Sequence, residues 1–208
     1  MNKDERIRDS FDTWCRYPVR CFADDANGCT PSLYVPFYSR YPSTTTRRGQ
    51  ILAGMLFVCL GGFTVSAQTL WMHNKLSEGA SVCGGDTILN CDGLIGNAAY
   101  NTDPMLGQPW GLIGMVAFTL LMWFVITIAK EPMSSETPLF IKGGLGATIA
   151  GLPVIALLVS YEIKEGLICP FCTVAHITNV IALVGFFMLF KMYESDNWAP
   201  ELKKSTRK

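Results

Sequence analysis

The sequence predicts an all-α fold: an integral membrane four-helix bundle with a long outer loop between helices 1 and 2. Two observations predict it. Of the 208 residues, 50% are hydrophobic and only 16% charged, where a soluble domain carries roughly a quarter charged residues. The charges are also absent from four stretches, 51–71, 110–129, 143–161 and 166–190, each close to the roughly 20 residues a helix needs to cross a bilayer. These stretches are apolar all round, whereas helices of a water-soluble bundle keep a polar face. The 17 basic and 17 acidic side chains cancel. That balance and the hydrophobic content exclude a disordered chain and a nucleic-acid partner.

The chain divides into an N-terminal extension (1–50), the four-helix domain (51–192) and a basic tail (193–208). With four spans, the termini and the connection between helices 2 and 3 share one side. That side holds fifteen of the seventeen Lys and Arg residues, leaving Lys75 and Lys164 on the other. By the positive-inside rule, the termini are cytoplasmic. The extension is polar and lacks the apolar run of a cleavable signal peptide, so the first helix serves as its own signal. Its aromatic residues and prolines, with Cys15, Cys21 and Cys29, form no recognisable domain and suit a segment lying along a partner or the membrane surface. The tail ends Lys203-Lys204-Ser-Thr-Arg207-Lys208, a solvated anchor for anionic lipid.

Of the eight cysteines, Cys59 falls inside helix 1 as a small buried apolar residue. Four others, Cys83, Cys91, Cys169 and Cys172, fall on the outer, oxidising side. Cys83 and Cys91 lie eight apart in a glycine-containing loop. Cys169-Pro170-Phe171-Cys172 opens helix 4. Cysteines three apart on a helix share a face, and proline suits the first turn, where no backbone donor is needed. The positive end of the helix stabilises the thiolate, the form that exchanges with disulfides. His176 and Asn179 continue the same face, and polar groups at that depth are costly unless they line a site. The stripe 169, 172, 176 and 179 therefore reads as the wall of a pocket in which a lipophilic molecule meets Cys172. The glycine-rich start of helix 3, from Gly143 to Gly151, reads as close helix packing, and Pro153 is expected to kink that helix.

The order of these features, four helices with a cysteine pair eight apart after the first and a CxxC opening the fourth, resembles the vitamin K epoxide reductase (VKOR) family in its stand-alone form, without a fused thioredoxin domain. The resemblance runs from about residue 51 to 191. It includes Gly107-Gln-Pro109-Trp-Gly111-Leu-Ile-Gly114 leading into helix 2 and Cys172-Thr-Val-Ala-His176-Ile-Thr-Asn179 after the CxxC. Where the family carries a serine six residues after the second loop cysteine, this chain has Asn97, which can still donate a hydrogen bond. The resemblance implies catalytic roles for Cys83, Cys91, Cys169 and Cys172. Electrons would pass from a thioredoxin-like redox protein to the Cys83–Cys91 disulfide, from Cys91 to Cys169, and from Cys172 to a membrane quinone of the ubiquinone, menaquinone or phylloquinone type. His176 would supply a proton or hydrogen bond to the quinone, with Asn179 and Asn97 as further polar contacts. The implied location is a bacterial inner membrane.

Other readings of the same residues carry less. Four thiolates can hold a structural zinc, but a four-helix bundle gains little from one. Haem attachment needs a histidine where Thr173 stands. In a DsbB-type quinone reductase the CxxC precedes the other pair, the reverse of the order here. A non-catalytic accessory subunit of a larger membrane complex, bound through the N-terminal extension, is the alternative from a different class.

Overall fold

A computed structural model of the chain describes residues 46–82, 89–195 and 198. Cys15, Cys21, Cys29 and Cys83 lie outside the described residues, as do most of the extension and the basic tail.

Among the described residues, six helices follow one another: α1 (Arg47–Ser77), α2 (Asp92–Ile95), α3 (Ala98–Asn101), α4 (Trp110–Lys130), α5 (Thr137–Glu165) and α6 (Pro170–Glu194). The four long ones are each long and apolar enough to cross a membrane, and the chain is a multi-pass membrane protein. They overrun the charge-free stretches because charged residues continue a helix where it emerges from the apolar layer. With 31 residues, α1 is about 46 Å long at 1.5 Å per residue, against roughly 30 Å of hydrocarbon. The sequence put the last connection at 162–165, but those residues complete α5. The chain turns instead at Gly166, whose φ of 66° ends the helix in the left-handed conformation. Leu167 then donates its amide to the Glu162 carbonyl at 3.1 Å and Gly166 to that of Ile163 at 3.3 Å, which satisfies carbonyls that the helix end would leave unpaired.

Helix α1 packs against α4 and α6, and α5 against α6 and α4. Leu52, Met55, Phe118, Val125, Ile141, Phe186 and Leu189 meet in the core. Phe57, Val116, Leu139 and Phe187 point outward at 50–75% exposure, a surface that an apolar solvent would cover. Small residues set the helix spacing. A Cβ on Gly111 would come within 2.9 Å of the Ser66 carbonyl oxygen and 2.7 Å of the Leu70 amide nitrogen, so α1 and α4 touch backbone to backbone. On α5, a Cβ at Gly144 would strike the Phe186 ring, while Gly146 faces open space. Of the glycines expected to pack, therefore, Gly144 does so and Gly146 does not. Pro153 lies inside an uninterrupted α5.

At the end of the bundle away from the CxxC, Trp198 folds back into the core at 7% exposure. Its indole nitrogen donates to the Pro132 carbonyl at 2.7 Å. Arg48 Nη1 donates to its carbonyl at 2.6 Å and the guanidinium stands over its ring. The segment after α6 thereby ties the start of α1 to the α4–α5 turn.

Replacing Gly111 with Ala is expected to lower stability by about 1–3 kcal/mol, because the clash is with backbone that cannot swing aside. Gly146→Ala should be neutral or slightly stabilising, since alanine is the better helix former. Thermal unfolding of the two variants in detergent checks the contrast.

Candidate functional site

The loop after α1 returns to the bundle through one point of backbone pairing, a parallel bridge between Leu89 and Ile168. Two residues beyond Leu89 lies Cys91, and one beyond Ile168 lies Cys169. Both cysteines are fully buried, and they share one apolar cluster with Met72, Leu94 and Ile95, with Cys172 packed at its edge. The loop is clamped by Asp92, whose carboxylate accepts from Ser81 Oγ at 2.7 Å and from the Val82 amide at 3.3 Å. Cys91 is disulfide-bonded, and its partner is none of Cys59, Cys169 and Cys172, which are free thiols.

Cys169 caps the N-terminus of α6 in an extended conformation (φ −92°, ψ 105°), with Pro170 in the first turn. Its sulfur accepts the Cys172 amide at 3.2 Å, so the thiol itself serves where a serine or aspartate oxygen usually caps a helix. The Cys169 amide donates to Glu162 Oε1 at 3.2 Å, across the turn from α5. The hydrogen bond from the Cys172 thiol is the main cause holding the Cys169 thiol below its ordinary pKa; the amides of Cys172 and Phe171 assist, and burial opposes them. Of the pair, Cys169 is thus the thiol whose ionisation this arrangement favours.

Below the CxxC opens a cavity of about 190 Å³ between α1, α4, α5 and α6. Apolar side chains such as Ile113, Phe118, Leu121 and Val154 make most of its wall. Cys172, His176 and Asn179 line it along α6, and Trp110, Asn101 and Glu162 line it from other elements. Two buried nitrogens on this wall, His176 Nε2 and Trp110 Nε1, have no hydrogen-bond partner among the described residues. Buried polar groups are nearly always partnered, so an apolar cavity with two open ring nitrogens fits a flat, lipophilic molecule bearing acceptor oxygens. Asn179 also braces the helices, its Nδ2 donating to the Thr148 carbonyl at 3.2 Å.

Toward the loop, the Tyr100 and Tyr161 rings meet at 5.1 Å, and the Tyr100 hydroxyl donates to Glu165 Oε1 at 2.5 Å. That hydrogen bond is the main cause raising the Tyr100 pKa. Asn101 Nδ2 lies 2.9 Å from His73 Nδ1, which ties the end of α3 to α1.

The expected stripe is therefore divided. Cys172, His176 and Asn179 line the cavity, whereas Cys169 lies above it against Cys91. Asn97 is outside the lining: it is exposed and caps α3, its Oδ1 accepting from the Ala99 amide at 3.0 Å. Sequence reasoning missed Trp110, Asn101 and Glu162 as wall residues. The available signals were a tryptophan at the start of a span and an acid one turn from the end of another.

A thiol pair thus sits at the start of α6 above an apolar cavity, with buried Cys91 in the same apolar cluster. Residues 53–187 match the family model described as "Vitamin K epoxide reductase family", and the chain belongs to that family. Its members are, as a class, quinone-linked thiol oxidoreductases. No curated protein matches the chain.

Replacing Cys172 with Ala removes the thiol that donates to Cys169. Alkylation of Cys169 should then reach half its maximal rate at a higher pH than in the unsubstituted protein, as read by mass spectrometry of labelled peptides.

Proposed function

We propose that the protein is a quinone-dependent protein-dithiol oxidoreductase that takes electrons from a thioredoxin-like partner through Cys83 and Cys91 to Cys169 and Cys172, and on to a membrane quinone. The observation that carries this reading is the burial of disulfide-bonded Cys91 in one cluster with the free, helix-capping Cys169.

The partner reduces the Cys83–Cys91 disulfide, and in so doing is itself oxidised. Cys91, as thiolate, attacks Cys169 of the oxidised inner pair. A Cys91–Cys169 bond forms, the Cys169–Cys172 bond breaks, and the electron pair stays on Cys172. Cys83 then attacks Cys91, restoring the loop disulfide and releasing Cys169 as a leaving thiolate that the α6 N-terminus favours; the protons given up by Cys91 and Cys83 pass to Cys172 and Cys169 and complete the inner dithiol. A bound quinone supplies the acceptor for two electrons and two protons. Cys172 faces it from the wall, and His176 and Trp110 offer their open nitrogens to its oxygens. The apolar wall excludes water from the exchange. Asn179 holds the register of α6 against α5, and Asn97 shapes the loop that carries Cys91. Fifteen of seventeen basic residues on the side of the termini support cytoplasmic termini with the cysteines on the outer face, and the membrane in this reading is a bacterial inner membrane.

With reduced thioredoxin as donor and decylubiquinone as acceptor, the purified protein should reduce the quinone, and Cys172→Ala should abolish the reaction. An unchanged rate in that variant would remove Cys172 from the path. Replacing Cys83 or Cys172 with Ala should leave a Cys91–Cys169 mixed disulfide that non-reducing peptide mapping recovers. Its absence from both variants would contradict the relay.

A further inference from the structure

Among the described residues, Glu162 is the one carboxylate on the cavity wall, and it also touches the thiol pair through the Cys169 amide. It is half-buried, in the last turn of α5, where the cavity and the CxxC turn meet. A carboxylate at this depth is expensive unless it has a task. One hydrogen bond from a backbone amide leaves its remaining oxygen lone pairs open to a proton. The exchange reaction has such a proton to move. When Cys169 and Cys172 pass from dithiol to disulfide, two S–H bonds are lost and one S–S bond forms. Two electrons go to the acceptor, and two protons must reach its oxygens through a wall that is mostly apolar.

We propose that Glu162 is the proton carrier between the Cys169–Cys172 pair and the cavity. It takes a proton as the S–S bond forms and delivers it to an oxygen of the reduced acceptor, so that it ends the turnover in the state in which it began. The balance is then complete: two electrons and two protons leave the dithiol, and both pairs arrive on the quinone. His176, one turn deeper than Cys172 on the same wall, gives a proton to the second oxygen and is restored by the pair's other proton. The ionisable groups around Glu162 are Tyr161 and Glu165 on its own helix, with Lys164 beside them, Tyr100 from α3, and Cys169, Cys172 and His176 from α6. Glu165 is engaged by Tyr100, which leaves Glu162 as the acid open to the cavity. The proposal rests on the quinone-reducing function above.

The test uses the full chain in lipid nanodiscs, with dithiothreitol as reductant and decylubiquinone as acceptor. Glu162→Gln keeps an oxygen for the Cys169 amide but cannot carry a proton. It should slow quinone reduction by about 100-fold, the lower end of what general acid–base catalysis contributes, and remove one ionisation from the pH–rate profile. Glu162→Asp, which can still carry a proton, should restore most of the rate and that ionisation. Trapping of the Cys91–Cys169 disulfide in the Cys172→Ala background should be undiminished by Glu162→Gln, since that exchange precedes the proton delivery. A Glu162→Gln protein that reduces quinone at the wild-type rate overturns the proposal and leaves the function intact. So does one that is slower with an unaltered pH profile, because the residue would then be structural. A wild-type protein that leaves the quinone unreduced removes the function and the proposal together.

Discussion

The pairing of Leu89 with Ile168 is the contact on which the arrangement of cysteines depends. Thiol–disulfide exchange requires direct approach of sulfur to sulfur, and Cys91 and Cys169 belong to segments almost eighty residues apart. A single backbone bridge, followed within two residues by a buried cysteine on each strand, brings the two segments into one apolar cluster. Long-range closure of this kind carries a loop-entropy cost that rises only slowly with loop length. The buried Met72, Leu94 and Ile95 and the Asp92 clamp provide the opposing free energy. Without that closure, the helix-capping thiol would have the cavity beneath it and no Cys91 above it.

The turn beneath the bridge is equally constrained. Gly166 reverses the chain in a conformation that side chains rarely adopt, and Pro170 fixes the first turn of α6 six residues before His176 on the wall. Between them, Cys169 has its amide held by Glu162 and its sulfur held by the Cys172 amide. A cysteine so fixed at both ends presents its sulfur in one direction. Preorganisation of this sort matters because misplacement by about an ångström can slow a reaction by orders of magnitude.

The fold was largely legible because its main signal is one of absence: runs of about twenty residues without charge leave few structures other than spanning helices. The ends were less legible. Glu162, Lys164 and Glu165 break the charge-free run, yet they remain helical, since a helix stops where its capping chemistry allows and not where charge resumes. In the site, Cys172, His176 and Asn179 could be placed together because helical periodicity relates them, whereas Cys169, as the N-cap of α6, falls out of that stripe. Trp110, Asn101 and Glu162 come from three other elements, and only the packing of α4 and α5 against α6 brings them to the same cavity. Asn97 shows the converse. Its position relative to Cys91 marked it for attention, but its side chain is engaged by the amide two residues on, a local hydrogen bond that Asn readily makes at a helix start.

Polar side chains in the spans separate into three kinds. Thr64, Thr119, Thr127 and Thr148 each return a hydroxyl proton to a carbonyl three or four residues earlier, which settles their hydrogen-bonding needs within one helix at little cost. Asn179 reaches across to Thr148 and joins α5 to α6 where Gly151 leaves room for it. His176 and Trp110 do neither: their ring nitrogens are buried and open, although each unmade hydrogen bond costs on the order of 1–3 kcal/mol. A bundle selected only for stability would gain by replacing both with apolar residues. Their presence on the wall shared with Cys172 supports the proposed quinone site, where acceptor oxygens would complete those hydrogen bonds, and the half-buried carboxylate of Glu162 stands on the same wall.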